Sequence, residues 1–167
     1  IEGISVGDSL LDYFNKNQIE DMKFPIVRGG KKFFEYHKVD TNLKSNNYDN
    51  IFLYFKTDDP YKIIQGVAGR KYYINNIDVC YNLQKNIVNE LESIFPEANK
   101  EDRGILKNKA FPNGDSYKND ISFYFKDGSI VHTACYDYAI TDTNSRDRLS
   151  IAIFTKQYLD WFLSLKR

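Results

Sequence analysis

Hydrophobic residues recur at helical spacing in one long central stretch, residues 76–95. Intervals of three and four separate its apolar positions, which places them on one side of a helix; these positions are Cys80, Leu83, Ile87, Leu91 and Ile94. Asn75 or Asn76 can cap the start, and Pro96 ends the helix just after Phe95. The pattern predicts an amphipathic helix whose apolar side needs a partner surface.

Strand-like alternation flanks this helix on both sides, in two stretches that resemble each other. Residues 50–59 contain the run Leu-Tyr-Phe-Lys at 53–56, and residues 120–129 contain Phe-Tyr-Phe-Lys at 123–126. A period of two is typical of a β-strand. Asp127-Gly128 is a strong hairpin turn sequence, and return strands are predicted over 62–73 and 130–138. In the first of these, Gly66 and Gly69 indicate a bulge or a close approach of the backbone to another group.

The order of these elements predicts a fold class. Hairpin-linked strands form antiparallel sheets, so we expect an α+β fold in which two similar hairpin units form the sheet and a central amphipathic helix and short terminal helices pack on one face. The other face would show Tyr54 and Tyr124. We expect a single domain, 1–167, with an α-β-β-β pseudo-repeat over about 8–73 and 76–154 and a C-terminal helix capped by Thr155. Residues 4–6 predict a short strand, and the charged stretch 99–118 predicts mostly loop.

The position of Cys135 depends on the turn at Asp127-Gly128. A two-residue turn sets Phe123 opposite His132 and turns Cys135 away from the face that carries Phe123. A longer, bulged turn brings Cys135 to the helix side. A Cys80–Cys135 bond therefore predicts a bulged turn, or a helix end that wraps around the sheet edge.

Size and charge exclude several classes of protein. The chain has 167 residues, no net charge and a pI near 6.9. A domain of this length buries roughly 70% of its unfolded surface and needs no metal to fold. Zero net charge argues against a nucleic-acid partner. No run of eighteen apolar residues is present, so we expect no membrane span.

The chain contains two cysteines, Cys80 and Cys135, and no C-x-x-C motif. They can be two buried thiols or a disulfide, which for a loop of this length stabilises by about 4 kcal/mol in the chain-entropy model. The absence of Met at position 1 fits a removed export signal or a trimmed chain, and export favours the disulfide. No metal or cofactor motif accompanies the cysteines, and we expect neither group.

Gly7-Asp8-Ser9-Leu10 resembles the nucleophile block of the GDSL esterases and lipases, a resemblance that covers four residues. It implies a catalytic Ser9 activated by a late D-x-x-H histidine. The two histidines, His37 and His132, have no Asp three residues earlier, and the other blocks of that family are missing. Because Ser9 followed by Asp12 also fits a capping box, we interpret Ser9 as a helix cap.

Other candidate site residues carry weaker patterns. Residues 142–147 place oxygen ligands at alternating positions but lack the central Gly and the closing Glu of a calcium loop, so we interpret them as a solvated turn. Tyr54 and Tyr124 could form a stacking platform for a sugar or a peptide, or could pack under loops or in a dimer contact. His132 lies on a predicted strand and completes our set of candidate binding residues.

Taken over most of its length, the chain resembles small exported bacterial proteins of no assigned activity. The resembling segments are 3–14, the Cys80 helix, His132-Thr133-Ala134-Cys135-Tyr136-Asp137 and 149–161. This resemblance implies export to the periplasm or the medium, and supports the disulfide. Our first functional hypothesis is a non-catalytic exported domain that binds a protein or small ligand. The alternatives are a small serine hydrolase that uses Ser9, and a structural or assembly protein of the cell envelope.

Overall fold

The structure is a computed structural model that describes residues 1–21, 23–25, 34–40, 47–73, 76–109, 111, 114–139 and 146–164. For residues 23–25 and 34–40 it describes the backbone. The α+β prediction is confirmed, because antiparallel strands and helices both form. The described helices are a 3-10 helix Leu10–Asp12, α1 Lys16–Asp21, α2 Ile77–Ile94 and α3 Lys156–Ser164. The described strands are β1 Lys23–Pro25, β2 Phe34–Asp40, β3 Asn50–Lys56, β4 Ile64–Tyr72, β5 Asn99–Lys107, β6 Tyr117–Tyr124, β7 Ile130–Asp137 and β8 Arg148–Phe154.

The chain divides into two compact units. The first unit contains Ile1–Gly69, Asp127–Ser129 and Ala152–Arg167, and the second contains Arg70–Lys126 and Ile130–Ile151. Strands β4 and β8 contribute residues to both. The pseudo-repeat over about 8–73 and 76–154 stays a prediction.

In the first unit, β1, β2 and β3 pair antiparallel, with Tyr36 opposite Tyr54. One side of β3 carries Ile51, Leu53 and Phe55, and these pack with Leu10 of the 3-10 helix and Ile19 of α1. The other side of β3 carries Phe52 and Tyr54, which pack with residues of β8 and α3. Helix α3 therefore covers the side of β3 that the sequence predicts to be open.

The N-terminal segment of the first unit differs from its prediction. Residues 4–6 form no strand, because Gly3 and Gly7 turn the backbone on either side with φ of 78° and 96°. Such positive φ values suit glycine, which has no Cβ to clash. The segment is held to β4 by two backbone bonds, from Gly7 N–H to the Ile64 carbonyl and from Ile64 N–H to the Asp8 carbonyl, each 2.9 Å.

In the second unit, β5, β6 and β7 pair antiparallel in chain order. Tyr124 lies opposite Ile130, and Phe123 lies opposite Val131. The turn is thus longer than the two-residue turn at Asp127-Gly128, since residues 125–129 all lie between the paired strands. The pairing shifts by one residue, and Cys135 turns to the helix side as the bulged alternative requires.

The disulfide prediction is confirmed. Cys80 of α2 and Cys135 of β7 are bonded with a Cα–Cα distance of 6.0 Å, and both are fully buried. The bond joins the first turn of the helix to the strand beneath it. It closes a loop of sequence separation 55, so it removes much of the freedom of the unfolded chain.

Two further predictions for the second unit are wrong. Residues 99–107 form strand β5 and not a loop. The buried side of α2 is also rotated: Cys80, Gln84 and Val88 are buried, whereas Ile94 is 64% exposed. Asn76 occupies the N-cap position of α2 but makes no side-chain cap bond. Among the described residues, no helix combines the length and the apolar character needed to cross a membrane.

Candidate functional site

The second unit presents a polar surface on the side of its strands that faces away from α2. Gln84 of α2 donates from Nε2 to the carbonyl and to the hydroxyl of Thr133, both at 3.2 Å, which fixes the helix side of β7. Because side chains alternate along a strand, the neighbours of Thr133 and of its partner Ile121 point the other way. We call this opposite side the polar face; its members are Glu101, Arg103, Lys118, Asp120, Ser122, Tyr124, His132 and Tyr136.

A buried carboxylate lies at the centre of the polar face. Oδ1 of Asp120 is 2.6 Å from Nε2 of His132, and Oδ2 accepts a hydrogen bond of 2.5 Å from Nζ of Lys118. The Asp120 side chain is 4% exposed, whereas those of His132 and Lys118 are 22% and 27% exposed. The carboxylate therefore orients two donor groups whose outer parts reach solvent.

The electrostatics of Asp120 follow from these contacts. Burial by itself raises the pKa of a carboxyl group, because it disfavours the charged form. Hydrogen bonds and charge from His132 and Lys118 outweigh burial and hold the pKa of Asp120 well below its usual range. Asp120 is therefore ionised at neutral pH.

A second network occupies the β5 side of the polar face. Arg103 donates to both oxygens of Glu101, from Nε to Oε1 at 3.0 Å and from NH2 to Oε2 at 2.9 Å. The Tyr124 hydroxyl donates to Glu101 Oε2 at 2.9 Å. The hydrogen bond from Arg103 lowers the pKa of Glu101, while burial and the bond to Glu101 raise the pKa of Tyr124. Tyr124 is therefore a neutral phenol held in one orientation.

A β-bulge aims Arg103 at this network. The pairing of β5 with β6 shifts between Asp102 and Ile105, and Gly104 lies in the shift with φ of 61°. Gly104 N–H donates to Oδ1 of Asp102 at 2.8 Å, which closes the turn. Regular alternation places Glu101 and Arg103 on one face, and the bulge adds one residue here, because Arg103 and Gly104 together oppose Asp120 alone.

Two tyrosines and an arginine extend the polar face along β7. The rings of Tyr136 and Tyr138 are stacked, with centroids 6.0 Å apart and planes 10° apart. The guanidinium carbon of Arg148, at the start of β8, lies 4.7 Å from the Tyr136 centroid and 5.1 Å from that of Tyr138. Phe111 meets Tyr138 edge to face at 5.2 Å. Tyr136 is the cross-strand partner of Lys118.

The structure brings two of the three predicted binding residues together. Tyr124 and His132 share the polar face, because Ser122 lies opposite His132 and is two residues from Tyr124 on β6. Tyr54 belongs to the first unit, where its ring packs against Phe154 at 5.3 Å and Tyr158 at 5.0 Å. Tyr54 is therefore part of an aromatic cluster with α3.

Ser9 acts as the predicted helix cap. Its Oγ accepts from Leu11 N–H at 3.2 Å and donates to the Tyr61 carbonyl at 2.6 Å. Both functions of the hydroxyl are thus used by backbone groups. The side chain of His37 lies outside the described residues, as do residues 142–145 of the calcium-like segment. Within the described part of the chain, no group of three or more His, Cys, Asp or Glu could hold a metal ion.

Sequence reasoning missed most of this face. It named Tyr124 and His132, but not Asp120, Lys118, Glu101, Arg103 or Arg148. Polar residues do alternate along β6 at 118, 120, 122 and 124, which is the pattern of a strand with one polar side. That pattern indicates a shared face, whereas the partners on β5, β7 and β8 depend on register.

Comparison of the chain with protein families, with curated proteins and with solved structures finds no match to any of them. The polar face is therefore the feature of the described residues from which a function can be inferred. Its ordered donors and acceptors, with one buried carboxylate beneath them, can hydrogen-bond a polar ligand without rearrangement.

Proposed function

We propose that this chain is an exported, non-catalytic domain that binds a protein or small ligand through its polar face, with Tyr124 and His132 as ligand contacts. The observation that carries the proposal is the pairing of Asp120 with His132 and Lys118. A nearly buried carboxylate fixes two partly exposed donors in place, and fixed groups lose little freedom when a ligand binds.

The second network supports the same surface. Tyr124 is held by Glu101 with its ring on the polar face, and tyrosine and arginine are enriched among residues that contribute most to binding. The opposite side of the same strands carries α2 and the disulfide, so a ligand that contacts these strands would do so through the polar face.

Export is supported by the buried disulfide between Cys80 and Cys135. Disulfides form and persist in oxidising compartments and are rare in the cytosol. The proposal of a hydrolase that uses Ser9 has no comparable support, because the Ser9 hydroxyl is engaged by the backbone of Leu11 and Tyr61.

The binding proposal is tested by titrating the isotope-labelled protein with a panel of monosaccharides, amino acids, small carboxylic acids and short peptides. Saturable shifts should map to backbone amides of β5, β6 and β7. Tyr124→Ala and His132→Gln should each raise the Kd of such a ligand about ten-fold, which corresponds to a loss of about 1.4 kcal/mol of binding free energy. His132→Gln keeps a donor for Asp120, which separates ligand contact from folding.

The matched control is Lys126→Gln. Its side chain is 87% exposed and lies outside the polar face, so binding should be unchanged. Saturable shifts confined to the first unit, or equal affinities of all variants, would contradict the binding proposal. Export is tested separately by fractionating native cells: recovery of the protein from the cytosol with both thiols free would contradict it.

A further inference from the structure

The guanidinium of Arg148 is held in an unusual position at one end of the polar face. It lies over the stacked rings of Tyr136 and Tyr138, within 4.7 Å and 5.1 Å of their centroids. Its Nε is buried and has no hydrogen-bond partner among the described residues. None of the ion pairs between described residues involves Arg148.

Among the described residues, the neighbouring groups form no ion pair with this guanidinium. Burial raises the pKa of Tyr136 and Tyr138, against the opposing charge of Arg148 and, for Tyr138, a side-chain hydrogen bond with Arg148, so both hydroxyls stay protonated and uncharged at neutral pH. Asp120 is already paired with His132 and Lys118. Asp147, the residue before Arg148, uses Oδ1 to accept the Tyr138 N–H at 2.9 Å.

A half-buried cation that forms no ion pair with any described residue is less favourable than a paired one, and an anion that completes the site removes that cost. The planar guanidinium presents parallel N–H donors that match a carboxylate, and its contacts with the two tyrosine rings restrict its position beforehand. We infer that Arg148, held on the rings of Tyr136 and Tyr138, anchors the carboxylate of a small organic acid. This inference rests on the proposed function, since it names the ligand class of the same face.

Two features favour a small carboxylate with an apolar group over inorganic phosphate. Asp120 and Asp147 lie nearby, and their charges oppose a dianion more than a monoanion. Phe111 and Tyr138 form an edge-to-face pair beside the guanidinium, which offers a hydrophobic surface to the rest of the ligand. Lys118, the cross-strand partner of Tyr136, adds positive potential.

The test uses benzoate, its neutral analogue benzamide, and inorganic phosphate as probes of the 167-residue chain. The readout is the nuclear magnetic resonance signal of the Arg148 Nε–H, identified by its loss in Arg148→Lys. Benzoate should shift this signal saturably and bind about ten-fold more tightly than benzamide or phosphate, as one charge-assisted pair requires. Arg148→Gln should lose benzoate binding, and Arg148→Lys should weaken it because lysine lacks the planar fork.

Lys126→Gln serves as the control and should bind benzoate as the wild type does. Equal binding of benzoate and benzamide, phosphate binding as tight as benzoate binding, or an Arg148 signal that benzoate leaves unmoved would overturn the inference. The wild-type titration decides the matter even if Arg148→Gln fails to fold. A ligand that depends on Tyr124 and His132 but not on Arg148 would refute this inference while leaving the proposed function standing.

Discussion

The carboxylate of Asp120 on β6 lies 2.6 Å from Nε2 of His132, its diagonal neighbour on β7, and also accepts a hydrogen bond of 2.5 Å from Nζ of Lys118. With its side chain only 4% exposed, this carboxylate could not stay charged without its partners. The three residues therefore form a unit in which the buried member stabilises the fold and the outer members face solvent.

Replacement of Asp120 by Asn tests the energetic role of this unit. The variant keeps the shape but leaves Lys118 without its carboxylate, so the free energy of unfolding should fall by about 3 kcal/mol, as is typical of a broken buried pair. Urea unfolding followed by circular dichroism measures it. Glu101→Gln removes an exposed carboxylate from the same face and should change stability little. Equal effects of the two variants would contradict the burial of Asp120.

The pH dependence of stability provides a second prediction about Asp120. Its pKa in the folded protein lies well below the ordinary value of about 3.9 that applies to the unfolded chain. The stabilisation is complete above that ordinary value and is lost as pH falls through the lower folded pKa. The stability difference between the wild type and Asp120→Asn should therefore shrink below about pH 4. A difference that stays constant in urea titrations down to acid pH would contradict this.

Removal of the disulfide should lower stability substantially. The Cys80→Ala, Cys135→Ala double variant frees a loop of sequence separation 55, and the chain-entropy model predicts a loss of about 4 kcal/mol. Urea unfolding of both proteins measures the difference. Addition of a reducing agent should bring the wild type close to the double variant and leave the variant unchanged. If the reducing agent leaves the urea unfolding curve of the wild type unchanged, even when it is added to the unfolded protein, the bond is absent.

Gln84 connects α2 to both β6 and β7. Its Nε2 donates to the Asn119 carbonyl and to Thr133, each at 3.2 Å, while the residue is 1% exposed. Gln84→Met fills similar space but leaves these acceptors unpaired, so stability should fall by about 1–3 kcal/mol. In a double-mutant cycle with Thr133→Val, the stability losses of the two single variants should sum to more than the stability loss of the double variant. Strict additivity would mean that the side chains do not interact.

The same residue explains why the sequence predicts the wrong buried side for α2. Apolar spacing selects Leu83, Leu91 and Ile94 as part of the inner stripe, and Gln84 is not among the positions it selects. In the structure Gln84 is buried because its amide reaches Thr133 on the strand below. Hydropathy alone predicts that a glutamine is exposed to solvent. The burial of Gln84 depends on its hydrogen-bond partner Thr133, which is distant in sequence.

Strand β5 escaped prediction for a related reason. Its sequence, Asn99–Lys107, is charged and contains Gly104, and nearly all of its side chains are exposed. A strand with solvent on both sides shows no apolar alternation. Strand β5 is therefore recognised by its pairing with β6, which the sequence pattern does not show. The hairpins and the class of fold were predictable because their alternation reflects burial of one face. The polar face was predictable only along β6, since its other members meet across strands.

Close packing in the first unit predicts an effect of enlarging Gly66. A Cβ at this position would lie 2.5 Å from Cδ1 of Phe154 and 3.2 Å from Cδ2 of Tyr54, which confirms the close approach expected at Gly66. Gly66→Ala should therefore lower stability by about 1–3 kcal/mol, the usual cost of overpacking. Thermal unfolding measures it, and Phe154→Leu in the same background should recover part of the loss. A neutral Gly66→Ala would contradict the packing of Phe154 on β4.

The cap formed by Ser9 separates the binding hypothesis from the hydrolase hypothesis. Ser9→Ala removes a group that accepts from Leu11 and donates to Tyr61, so stability should fall by about 1 kcal/mol. Ser9→Thr keeps both hydrogen bonds and should restore most of it. Hydrolysis of a 4-nitrophenyl ester should proceed equally slowly with wild type and both variants. A hydroxyl that only caps a helix has no effect on ester hydrolysis when the variants are compared at equal folded concentration. If the wild type then hydrolyses the ester faster than Ser9→Ala, the hydroxyl is a nucleophile and the non-catalytic proposal fails.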